Sequence, residues 1–101
     1  MTPKELTDRL LDHRIVCISE QDWESLADSY EQIERHDTVV AGDLLIVRTD
    51  VGLAAVEQPR SGERVVRVLG GVDAVLPFVQ GRLQLYERMW DGCGCKVDYY
   101  S

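Results

Sequence analysis

The chain has 101 residues, 45% of them apolar and 29% charged, and a formal net charge of −7. That length fits one soluble domain with a modest core. It leaves no room for a spanning helix, since apolar runs such as Leu44 to Val47 fall far short of the roughly 20 residues a bilayer needs. The acidic balance disfavours nucleic-acid binding, because it repels phosphates, and it is uneven: residues 1–37 hold ten acids and four bases, residues 38–101 eight acids and seven bases.

Thr2 as cap, Pro3 at the first helical position and Glu5 three residues on predict a first helix. Leu6 and Leu10 share one side of it, with Leu11 beside them, and His13 and Arg14 suit its negative end. The opening residues carry no apolar signal core, which points to a cytoplasmic protein without membrane attachment. Ile15-Val16-Cys17-Ile18 is short and β-branched, a connector or short strand.

A second helix is expected over 20–37. Ser19 can cap it, and Ile18 and Trp23 form a hydrophobic staple across its start. Trp23, Leu26, Tyr30 and Ile33 then recur at helical spacing, with Glu20, Glu24, Asp28, Glu31 and Glu34 on the other side.

Residues 42–50, 52–58 and 63–69 read as three strands joined by turns at Thr49 to Gly52 and Pro59 to Gly62. Arg48, Glu57, Arg64 and Arg67 mark a wetter face, but Val66 and Val68 share the parity of Arg64, so the sheet is expected to be partly covered on both sides. Gly70-Gly71 breaks the third strand. Without a lysine or serine at phosphate-loop spacing it reads as a plain turn and not an anion cradle. Val72, Val75, Leu76, Val79, Leu83, Tyr86 and Trp90 then step by three or four almost throughout, a long third helix starting near Asp73 or at Pro77 and stopping at Gly92. "KVDYY" (96–100) follows as a strand-like tail. The fold expected is a single α+β domain over 1–101: two N-terminal helices, a three-stranded antiparallel meander, a long C-terminal helix and a short tail.

The chemistry-bearing residues concentrate in Cys93-Gly94-Cys95. A disulfide inside so small a ring is strained and readily reduced, which suits a labile redox couple. Lys96 favours the thiolate and Asp91 opposes it. Alternatively the two thiolates are half of a site for zinc or another soft metal, completed by Cys17, His13 or His36. The third reading is a tight turn in which cysteine serves as a small hydrophobe. Cys17 in its apolar run reads first as core, and the two histidines near helix ends read first as capping or solvated groups. Three thiols cannot all pair within one chain, which fits a reducing compartment.

Glu24, Asp28 and Glu31 form an acidic face for a basic partner or for water, with no calcium-loop spacing. Tyr99 and Tyr100, adjacent on a strand, point to opposite faces, which leaves one for a neighbouring chain. No nucleophile elbow and no paired-carboxylate motif stand out. The first reading of function is therefore a noncatalytic binding or accessory module that acts through protein contacts, as a homodimer or adaptor, with no cofactor. Two others stand beside it: a small metal-binding or thiol-redox protein using Cys93 and Cys95, and an acidic inhibitor or immunity-type protein that binds a basic enzyme.

Overall fold

The structure, a computed structural model, describes residues 1–38, 42–57 and 62–91. Helix α1 (Pro3–His13) begins where the sequence signals it: Thr2 Oγ1 accepts the Glu5 N–H at 3.2 Å, and Pro3 occupies the first turn. Leu6 and Leu10 are its buried side. It ends as Arg14 turns left-handed (φ 60°) and donates its N–H to the Leu10 carbonyl at 2.9 Å. Ile15–Ile18 is strand β1. Ser19 then caps α2 (Glu20–Ala27) by accepting the Asp22 N–H at 3.1 Å.

Here the expected second helix fails. It stops at Ala27 instead of running to 37, and Glu31–Thr38 is a strand, β2. Trp23 and Leu26 are buried as the helical stripe requires, but Ile33 is 39% exposed. Two tight bonds close the helix, Ser29 N–H to the Leu26 carbonyl (2.9 Å) and Tyr30 N–H to the Ala27 carbonyl (3.2 Å). Asp28 and Ser29 are poor helix formers that favour such turns. The Tyr30 ring then stacks on Trp23, 6.1 Å between centroids and 4° from parallel, so the chain folds back instead of continuing. Beyond the turn, pairing with the neighbouring strand at Gly42–Thr49 gives residues 31–38 a ladder interrupted only at Ile33, and that tertiary gain overrides a weak helical preference.

The expected three-stranded meander is likewise corrected. Strands β3 (Gly42–Thr49), β4 (Gly52–Glu57) and β5 (Arg64–Gly70) fall on the three stretches read as strands. They are the middle of a five-stranded antiparallel sheet, ordered β1-β5-β4-β3-β2, and not a separate unit. The two missing strands have different causes: the sequence of β2 reads as the end of a helix, and the pairing of Ile15–Ile18 with β5, more than forty residues away in sequence, leaves no local signal.

Alternation along the strands sends side chains to two separate cores. Val16, Ile18, Val47, Ala54, Val56, Val66 and Val68 pack with Leu6 and Leu10 of α1 and Trp23 and Leu26 of α2. Leu44, Ile46, Leu53 and Ala55 pack on the opposite face with Val75 and Val79. These last two belong to α3 (Val75–Asp91), which follows a short 3₁₀ turn at Val72–Ala74. The helix thus starts between the two expected positions. Pro77 falls in its first turn, where a missing N–H breaks no helical bond. The sheet is covered on both faces, α1 and α2 on one and α3 on the other. The tail, residues 92–101, lies outside the described residues, as does the Trp90 side chain.

Among the described residues, Gly52 is the glycine whose absence of a side chain is required twice over. Its φ is +108°, and a Cβ there would stand 2.8 Å from the Gly70 carbonyl oxygen. Gly52→Ala is expected to cost about 2–3 kcal/mol in urea unfolding. Gly81, inside α3 with open space around it, gives the opposite sign: Gly81→Ala should stabilise by about 0.5–1 kcal/mol. Equal effects at the two positions would contradict this packing.

Candidate functional site

The seam between the sheet and α3 is apolar along most of its length and turns polar at one end. On β4, Leu53, Ala55 and Glu57 share the face toward α3, and on β5 so do Val65, Arg67 and Leu69. Glu57, the last residue of β4, therefore carries its carboxylate into the seam, where the side chain is only 12% exposed. A carboxylate so largely removed from water needs partners, and three converge. The Tyr86 hydroxyl of α3 donates to Glu57 Oε2. Arg82 Nε stands 3.4 Å from the same oxygen, and Arg67 Nε stands 3.8 Å from Oε1. The two guanidinium groups flank Phe78, at 5.8 Å (Arg67) and 5.3 Å (Arg82) from the ring centroid. Burial, then the hydrogen bond and charge of Glu57, pushes the Tyr86 hydroxyl far above its ordinary value of 10.0.

The opposite face holds a second concavity, about 270 Å³, lined by Trp23, Ala27, Leu45 and Val56 with Glu24, Asp43 and Arg64 around them. Arg64 is nearly buried there. One of its nitrogens lies 3.5 Å from Glu20 Oε1, and another donates to the Gly62 carbonyl at 3.2 Å. Asp43 lies 3.0 Å from Arg35 on the neighbouring strand. A hydrogen bond with Asp37 and the nearby Arg35 guanidinium hold its carboxyl below the usual range. This pocket mixes both charges on an apolar floor and singles out no ligand chemistry.

Of the residues singled out from sequence, the structure brings few together. Cys17 is exposed on β1 and not in the core; it shares the α3 side of the sheet with Val65. His13 ends α1 while Cys17 is in strand β1. His36 is on β2, at the far edge of the sheet from Cys17, four strand spacings or roughly 19 Å away; its Nε2 lies 2.8 Å from Glu34 Oε1. Among the described residues no three His, Cys, Asp or Glu side chains converge as metal ligands. Glu24 and Asp28 lie on α2 and its cap, whereas Glu31 is on β2, bonded by Arg48 Nε at 3.1 Å; they do not form one helical face. Cys93, Cys95, Tyr99 and Tyr100 lie outside the described residues.

The seam cluster was only half visible in the sequence. Glu57 and Arg67 read as marks of a wet face, and Tyr86 as a core residue on a helical stripe. The signal available was parity: Glu57 alternates with Leu53 and Ala55, and so belongs to an apolar face.

Comparison with protein-family models, with characterised proteins and with solved structures gives no significant match. The chemistry of these residues is therefore what the functional reading rests on.

Tyr86→Phe should lower stability at pH 7 by about 1–2 kcal/mol, since it removes a hydrogen bond to a buried charged acceptor. The hydroxyl keeps its proton in the folded chain after the unfolded chain has lost it. The stabilisation is thus complete below pH 10 and declines as pH rises beyond it. Chemical unfolding of both proteins between pH 7 and pH 11 should show the gap narrowing above about pH 10. A gap unchanged across that range would contradict the assignment.

Proposed function

We propose that the protein is a noncatalytic binding module acting through protein contacts, and that β1 is the edge through which it engages a second copy of itself. The observation that carries this reading is the contrast between the two edges of the sheet formed by the described residues. β2 is guarded: Glu31, Glu34, Arg35, His36 and Asp37 line it, and the register shifts between Gln32 and Glu34. Charge and bulges of this kind discourage strand addition. β1 has neither. Ile15–Ile18 contains no charged side chain, and Ile15 and Cys17 are exposed.

The hydrogen-bond alternation supports the same edge. Val68 N–H donates to the Arg14 carbonyl at 2.8 Å, so Arg14, Val16 and Ile18 turn their backbone groups toward β5, and Ile15 and Cys17 turn theirs outward. Antiparallel pairing about a two-fold axis through Val16 sets Ile15 against the second copy's Cys17 and satisfies those groups. Because the strand itself is neutral, two chains each carrying −7 meet there without like charges in contact. A strand this short makes a weak, reversible contact, helped by the exposed Leu11 nearby.

A cytoplasmic setting fits this reading, since an unpaired exposed thiol is kept reduced there. No helix among the described residues is long and apolar enough to cross a membrane. The metal or redox reading depends on Cys93 and Cys95, which lie outside the described residues. The acidic-inhibitor reading loses its continuous acidic helix to β2.

Sedimentation equilibrium over a range of concentrations is expected to show a monomer–dimer equilibrium. Ile15→Lys should weaken it at least about tenfold, while Ile33→Lys on β2 should leave it unchanged. A monomer at every concentration would overturn the proposal, and so would equal effects of the two substitutions.

A further inference from the structure

Among the described residues the seam cluster gives its acidic side closer partners than its basic side. Glu57 has the Tyr86 hydroxyl and two cations around one carboxylate. The arginines have far less. Their Nε atoms approach Glu57 at 3.8 and 3.4 Å, beyond the usual reach of an N–H···O bond. Arg67 Nε is buried and has no hydrogen-bond partner among the described residues. Guanidinium groups carry a fork of N–H donors suited to two oxygens at once. Here two such forks share one distant carboxylate.

The two cations are also held side by side. Both stand against Phe78, both lie within 4 Å of the same carboxylate, and one rises from β5 while the other descends from α3. Like charges fixed together repel unless an anion lies between them, and Glu57 supplies only half of the opposite charge required. The side chains of Arg67 and Arg82 remain 29% and 26% exposed, so the cluster opens to solvent on the arginine side. The rest of the molecule is acidic, which leaves this as a local cationic spot in a chain of net −7.

We propose that Arg67 and Arg82, braced by Phe78 and Glu57, form a binding site for a small oxyanion, the phosphate or carboxylate group of a low-molecular-weight ligand. Each guanidinium presents N–H groups to the oxyanion, the ring fixes the spacing, and Glu57 anchors the pair while limiting affinity by its own charge. This site is independent of the β1 edge and of any self-association.

The test is a titration of the ¹⁵N-labelled protein at low ionic strength with inorganic phosphate and, separately, with succinate, following the arginine Nε–H signals by NMR. Sodium chloride at matched ionic strength is the control. Saturable shifts of Arg67 and Arg82 with phosphate or succinate and not with chloride are expected; the stronger of the two identifies the source of the oxyanion. Arg82→Gln should weaken binding at least tenfold, and Arg9→Gln, on the exposed side of α1, should not change it. Glu57→Gln should tighten binding several-fold by removing the competing charge. Should Arg82→Gln lose its fold, Arg82→Lys keeps the charge without the fork and is expected to weaken binding several-fold. Shifts that do not saturate, that chloride reproduces, or that survive Arg82→Gln in a folded protein would overturn the proposal.

Discussion

Strand β4 is buried on both of its faces, and the architecture depends on that constraint. Ala54 and Ala55, adjacent in sequence and pointing opposite ways, are both fully buried. A strand in this position needs an apolar layer above and below it. The flanking elements supply them: α1 and α2 close one side with Leu6, Leu10, Trp23 and Leu26, and α3 closes the other with Val75 and Val79. Alanine at the centre keeps the strand thin, which leaves room for an apolar layer on each face. The turn entering β4 is equally tight, with Gly52 against the Gly70 backbone.

The polar seam follows from this arrangement. A strand covered on both sides has no solvent face to which its last charged residue can turn, so Glu57 enters the seam and the elements around it must supply its partners. Tyr86 and Arg82 come from the later turns of α3, and Arg67 comes from β5. Such a network differs in kind from the ion pairs on β2, such as Arg48 with Glu31, where both side chains are mostly exposed. Exposed pairs are screened and contribute little. The seam network lies in a drier setting, where leaving Glu57 without partners would be costly.

How much of this could be read in the sequence depends on how local each signal is. The caps at Thr2 and Ser19, the strands β3 to β5, the turn at Thr49 to Gly52 and the helix α3 all rest on neighbours within a few residues, and each is found where the spacing placed it; of the α3 stripe, Val75, Val79 and Tyr86 are buried, whereas Val72 and Leu76 are exposed. Residues 31–38 misled because their one apolar side chain, Ile33, continues a helical stripe by coincidence, while the force that makes them a strand is pairing with β3. Cys17 misled because an apolar run suggests burial, yet on an edge strand only every second side chain faces a core. Glu57 and Arg67 meet diagonally across the β4–β5 pair, within reach of the hairpin reading, but Tyr86 and Arg82 were not visible as their partners, because those two come from a helix that begins almost twenty residues after Glu57.

Hydrogen exchange of the backbone amides, measured residue by residue in dilute solution, tests the central claim most directly. If β4 organises the molecule, the amides of Leu53 to Val56 should exchange only through global unfolding and be among the slowest in the chain, while those of Ile15 and Cys17, turned outward on β1, should exchange rapidly. Slower exchange on β1 or β2 than on β4 would contradict the account.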